Sequence, residues 1–209
     1  MEINKKWTSV IEAIIVMLIV VSGIVWMYTI FTSSQKLSQS SQNKVLAISI
    51  AREWIEAITN IRDTNWINFS SNLENCWMTE NYDRSCITND DKYFSDWNYI
   101  LYTNSDDRWV LEEIIWPVPT WFNDIYRNTF MVYIDDNTWF FTQTWTTSPT
   151  WLTETYNPIF TREIRLIPDT ILDPPQKYNI ESIVKWVDSS RSDYYEIKLE
   201  TVLTNWKKN

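Results

Sequence analysis

The chain has no histidine, one glycine and two cysteines among its 209 residues. Without histidine, Ser-His-Asp and Cys-His nucleophilic catalysis are excluded, as are histidine-ligated zinc and a histidine pH switch. Two sulfhydryls cannot build a four-cysteine metal centre, and neither a cofactor nor a metal is expected. Positive charge is also scarce. Lys and Arg total 18 against 27 Asp and Glu, a formal net charge of -9. Displacing phosphate counterions takes an excess of cations, so direct nucleic-acid binding is not expected.

The glycine deficit carries information of its own. Average usage of ~7% gives about 15 glycines in a chain this long, yet the sequence has Gly 1 and Trp 14. A β-rich domain needs glycine at tight turns, because only glycine enters positive φ without steric cost. Trp66, Trp77, Trp186 and Trp206 stand in apolar or strand contexts. Trp7, Trp26, Trp54, Trp97, Trp109, Trp116, Trp121, Trp139, Trp145 and Trp151 stand where glycine is expected. We therefore expect many of this second group to be glycines in the organism, specified by UGA codons that were decoded as Trp. Read instead as true tryptophans, Trp116, Trp121, Trp145 and Trp151 are flat platforms for sugar rings. The alternative function is then a membrane-anchored extracellular aromatic-rich module that binds carbohydrate.

One hydrophobic run organises the chain. Between Lys6 and Lys36 the only charge is Glu12, and the 19 residues from Ala13 to Phe31 are uncharged. About 20 apolar residues rising ~1.5 Å each cross a hydrocarbon core of about 30 Å. The run exceeds the ~7–15 residue core of a signal peptide, and no small-residue cleavage pattern closes it. Lys5 and Lys6 before it hold the N-terminus in the cytoplasm, with the rest outside.

The helix is expected to continue past the apolar run. From Thr32 to Asn60 there is no Pro or Gly, and Ala47, Ile50, Ala51, Trp54, Ile58 and Ile61 form a one-sided stripe at helical spacing. This gives a helix from about Ser9 to Ile61, with Asp63 and Asn65 as turn or cap residues beyond it. From Asn65 the pattern becomes strand-like. Segments 97–103 and 110–115 flank a turn-rich connection, as do 129–134 and 139–143. Segments 160–167, 180–187 and 194–203 are separated at Pro168 and at Pro174-Pro175. The expected class is α+β: a long N-terminal helix, transmembrane in its first half, packed by its second half on an antiparallel head. The divisions are 1–7, 8–31, 32–64 and 65–209.

Cys76 and Cys86 lie on the exported side of this arrangement, where a disulfide between them is the expected state. The oxygen-rich clusters Asn89-Asp90-Asp91 and Asp135-Asp136-Asn137 lack the spacing of an EF-hand loop and read as solvated turns. Glu112 and Glu113 are neighbours on a strand and point to opposite faces, so they do not converge as an acid–base pair. No enzymatic activity is expected.

The segment Lys5-Lys6-Trp7-Thr8-Ser9-Val10-Ile11-Glu12, with the apolar run behind it, resembles the N-terminus of type IV prepilins and pseudopilins. The family pattern is a short basic leader ending in glycine, a cut, and Glu as fifth residue of the mature chain. The resemblance implies cleavage between Trp7 and Thr8 by a prepilin peptidase, followed by N-methylation of Thr8. Trp7, one of the residues expected to be glycine, occupies the family's glycine position. Glu12 becomes the fifth mature residue, and the resemblance assigns it to assembly. An acid inside an apolar helix costs about 2.5–3.5 kcal/mol near the bilayer centre. In a filament it finds a partner in the new amine of an adjacent subunit. The function so implied is that of a structural, minor subunit of a type IV pilus or pseudopilus-like filament. Implied partners are other pilin subunits, the peptidase, the inner-membrane assembly platform, and membrane lipid before assembly. The implied location is a single pass through the inner membrane, head outside, and then a periplasmic or extracellular filament.

Overall fold

The structure is a computed structural model that describes residues 3–88, 93–104, 108–114, 130–134, 141–143, 160–171, 174–187 and 194–207. Outside these lie the oxygen-rich clusters at 89–91 and 135–137, and also Trp116, Trp121, Trp139, Trp145 and Trp151. By internal contacts the chain divides into two units, Met1–Lys44 and Val45–Asn209. A single helix, α1 (Ile3–Asn68), contributes to both.

From Val10 to Phe31 every side chain of α1 is exposed. Val10, Ile14, Met17, Val21, Met27 and Phe31 are each more than half exposed. A helix that is apolar all round is of the kind that is buried in a protein core or in a membrane. The helix is long and apolar enough to cross a membrane.

In the second unit the stripe read from the sequence becomes the core. Ala47, Ile50, Ala51, Trp54, Ile58 and Ile61 are all buried. They pack on one face of a five-stranded antiparallel sheet of β1 (Trp97–Thr103), β2 (Trp109–Glu113), β5 (Phe160–Pro168), β6 (Lys177–Val187) and β7 (Tyr194–Thr204). The strand order is β2-β1-β5-β6-β7, and a separate pair joins β3 (Tyr133–Ile134) to β4 (Phe141–Thr142). Alternation sets the faces. On β6, Tyr178, Ile180, Ser182, Val184 and Trp186 are buried while the residues between them are more open. Tyr99, Leu101, Ile164, Leu166, Tyr178 and Ile180 meet Trp54, Ala57, Ile58 and Ile61 in the larger core cluster. Ile100, on the other face of β1, packs instead with Ile114 and Phe130.

The outer face of β5, β6 and β7 is charged. Lys198 lies 2.8 Å from both Glu181 and Glu200, and Lys185 lies 3.9 Å from both Glu163 and Glu196. Alternating charges on the last strand discourage edge-to-edge pairing with another sheet.

The helix outlasts its expected end. Asp63 and Asn65 lie inside α1, which runs to Asn68. The apolar stripe continues through Trp66 and Phe69, both buried. Asn65 is itself enclosed, donating through Nδ2 to the carbonyls of Trp77 (3.5 Å) and Thr79 (3.3 Å). It thus anchors the next segment to the helix rather than capping it. Asp63 pairs with its neighbour Arg62 at 2.9 Å.

That next segment is short and bridged. Asn72 caps α2 (Leu73–Cys76) by accepting the Asn75 N–H through its side chain. Cys76 and Cys86 are bonded, closing a loop that contains the 3₁₀ turn Glu80–Tyr82 and ends within a second, Arg84–Ile87. With no glycine in this loop, Asn81 (φ 49°) and Tyr82 (φ 56°) carry the left-handed backbone. For a residue such as Tyr this conformation costs about 1–2 kcal/mol. The Tyr82 hydroxyl, donating to the Trp109 carbonyl at 3.0 Å, helps to hold it. Both sulfurs belong to fully buried residues packed with Phe69. A Cys76→Ser, Cys86→Ser double variant is expected to lose somewhat under ~3 kcal/mol of head stability. The loss is read as a lower denaturant midpoint for the full-length protein in detergent, and an unchanged midpoint would refute it.

Candidate processing and assembly site

Helix α1 begins at Ile3, so the peptide bond between Trp7 and Thr8 lies within helical backbone. Thr8 and Glu12 are four residues apart in the helix, about 6 Å along its axis. Glu12 is exposed. Its neighbours Val10, Ile11, Ile14 and Ile15 are exposed by 53, 55, 54 and 51%. One carboxylate therefore stands among exposed apolar side chains, about one turn beyond the bond between Trp7 and Thr8. Chemically it can accept hydrogen bonds from, and neutralise, a cationic amine presented by a neighbouring molecule.

A second polar constellation sits in the head. Arg162 on β5 is wholly buried. Its Nε donates to Gln143 Oε1 (3.2 Å) and its Nη2 to the Phe141 carbonyl (3.4 Å). The guanidinium lies 5.1 Å from the Trp54 ring centre. From α1, Glu53 accepts the Phe141 N–H through Oε1 at 3.1 Å. Gln143 donates to the carbonyls of Phe130 (3.0 Å) and Arg162 (2.7 Å) and accepts the Leu101 N–H at 3.4 Å. Burial pushes the Glu53 carboxyl up to about 7, against the opposing pull of Arg162. The same burial, opposed by Glu53, lowers Arg162 to about 9. Among the described residues, Arg162 Nη1 and Trp54 Nε1 have no hydrogen-bond partner.

Comparison of the chain with protein-family models, curated proteins and solved structures returned no match.

Among the described residues no three His, Cys, Asp or Glu side chains group as metal ligands. Trp97 is 47% exposed and borders a cleft with Asp96, Asn98, Glu163 and Arg165. Arg165 and Asp96 in that cleft are already paired with each other at 3.2 Å. The four tryptophans read as sugar platforms lie outside the described residues.

The Arg162 cluster escaped the sequence reading, although a signal was present. In Phe160-Thr161-Arg162-Glu163-Ile164-Arg165-Leu166, strand alternation puts Arg162 in phase with Phe160, Ile164 and Leu166. A charge in the apolar phase of a strand is a buried charge, and a buried charge calls for a counter-charge.

Proposed function

We propose that this chain is a structural subunit of a membrane-rooted filament of the type IV pilus or pseudopilus kind. The observation that carries the reading is Glu12, a lone carboxylate on an exposed apolar helix, four residues after Thr8 and preceded by Lys5 and Lys6. A carboxylate so placed is costly in lipid and useful only where a partner arrives with it. Cleavage before Thr8 creates that partner, since the new α-amine is a cation near neutral pH. When the helix of one subunit lies beside that of the next, the amine of one pairs with Glu12 of the other. Longitudinal register is then fixed by charge, while apolar side chains such as Ile14, Val21 and Val25 supply the contact area. The bulk of the interaction is non-directional, and the ion pair makes it specific.

The helix that spans from this site into the head, and the antiparallel sheet packed on its second half, fit such a subunit. In this reading the chain is a substrate rather than a catalyst: a prepilin peptidase removes residues 1–7 and methylates Thr8. The subunit passes from a single-pass membrane state, head outside, to a filament built by an inner-membrane platform with other pilin subunits. The peptidase's requirement for glycine before the cut is met if residue 7 is glycine in the organism.

Mass spectrometry of the native protein tests both statements at once. The expected mature N-terminus is methylated Thr8, and the expected leader fragment has glycine in place of Trp7. Recovery of the chain with Met1 to Trp7 still attached, and in no polymer, overturns the proposal.

A further inference from the structure

We propose that residues 33–44 form a joint built into α1, a stretch that unwinds locally while the helix on either side of it stays wound. α1 is helical throughout, but different forces hold its successive stretches. The apolar run is long and apolar enough to cross a membrane. In lipid or detergent no water is at hand to replace a broken backbone hydrogen bond, so the run is confined to helix. Further on, Ala47, Ile50, Ala51, Trp54 and Ile58 are fully buried in the head, and their packing fixes the helix there.

Residues 33–44 have neither support. No side chain among them is buried, and Leu37, their one apolar residue, is 73% exposed. Nor does the stretch hold itself together. Half of it is Ser33, Ser34, Ser38, Ser40, Ser41 and Asn43. Serine and asparagine favour helix less than Ala, Leu, Lys or Gln, because their short polar side chains compete for the backbone. Charge gives no help either. Lys36 and Lys44 are the only charges in the stretch, and no Asp or Glu occurs between Glu12 and Glu53. Neither lysine therefore has an acid three or four residues away along the helix to pair with. A helix that is polar all round and lacks such pairs is not stable by itself. This one is wound from both ends, its nucleation already supplied by its neighbours, and it is the first part of α1 to open.

Opening costs the head nothing. By internal contacts the chain divides between Lys44 and Val45, at the end of this stretch. Extended residues reach ~3.3 Å each against ~1.5 Å in a helix, so full opening lengthens the chain by roughly 20 Å. α1 then bends or lengthens at the joint rather than within the apolar run or the packed stripe.

The test is amide hydrogen exchange of the full-length protein in detergent, read along α1. Protection at 34–44 is expected to be roughly a hundredfold or more below that at 48–66. Ser34→Ala, Ser38→Ala and Ser41→Ala combined, all at exposed positions, strengthen the helix without touching a packed side chain. The triple variant is expected to raise protection at 34–44 by about tenfold and to leave 48–66 unchanged. Limited trypsin digestion gives a second reading within the same helix. Cleavage after Lys36 and Lys44 is expected well before cleavage after Arg52, which is exposed as they are but lies on the packed part. Protection at 34–44 equal to that at 48–66, no gain in the triple variant, or cleavage after Arg52 as early as after Lys44 would each overturn the joint.

Discussion

On the proposed reading, Glu12→Ala is expected to give a chain that enters the membrane and loses residues 1–7, yet is depleted at least about a hundredfold from filaments. Two effects act in the same direction. Removing the carboxylate relieves about 2.5–3.5 kcal/mol of insertion penalty if the group sits near the bilayer centre, and less near its surface. The membrane-resident monomer is thereby made more comfortable. At the same time, in the proposed filament, the amine of the adjoining subunit would be left without its counter-charge in low-dielectric surroundings. Breaking one side of a buried ion pair costs about 3–5 kcal/mol, and each 1.4 kcal/mol is a factor of ten in an equilibrium. Exposed apolar side chains on either side, such as Ile11 and Ile15, are untouched. The helix is still apolar enough to assemble, but nothing selects its register. Quantifying the variant in sheared filaments and in membranes from the same cells separates the two steps. Incorporation at the wild-type level would show that Glu12 does no more than reach solvent at a membrane surface. Retention of the leader on the variant would point instead to a role in recognition by the peptidase.

The elements that were legible in the sequence are those whose signal is periodic. The stripe from Ala47 to Ile61 repeats at helical spacing, and every member of it is buried. Alternation located β1 and β5 to within one residue, because one face of each meets the core. Beginnings and ends were harder. β6 starts at Lys177, three residues before the expected point, since Tyr178 extends the buried phase of Ile180 across the polar Asn179. The end of α1 was misplaced because Asp63 and Asn65 have turn chemistry, and tertiary contact overrode it. Asn65 reaches Trp77 and Thr79, positions 12 and 14 residues away. Long-range partners of that kind leave no trace in local pattern. Trp54, one of the residues expected to be glycine in the organism, has its indole buried in the core with the Arg162 guanidinium 5.1 Å from the ring centre. Of the candidate site, Glu12 was visible because a charge in an apolar run stands out unaided. The Arg162 cluster was not, since it joins residues 53, 141, 143 and 162, which only the folded sheet brings together.

The largest expected effect on stability belongs to Trp77. It is 2% exposed. Its ring meets Tyr178 edge-on at 5.6 Å between centres, and its Nε1 donates to the Pro175 carbonyl at 3.0 Å. It also follows Cys76 directly, so its anchoring fixes the bridged loop to the connection between β5 and β6. Trp77→Ala removes a large ring from a core of neighbours that collapse only in part, at a cost of about 3–5 kcal/mol. The orphaned Pro175 carbonyl adds to this unless water reaches it. Against a net stability of about 5–15 kcal/mol for a typical domain, such a loss brings the head close to unfolding. Trp206 is the natural control. It is an aromatic residue too, in edge contact with Trp66 at 5.0 Å, but 66% exposed. Trp206→Ala leaves most of its surface balance unchanged, and a shift within about 1 kcal/mol is expected. Thermal unfolding of the two full-length variants, followed by near-ultraviolet circular dichroism, gives the comparison directly. If Trp77→Ala costs no more than Trp206→Ala, the core does not rest on Trp77. The link from the disulfide loop to the sheet must then run through Asn65 and Asn205, whose side chains bond across the same end of the head.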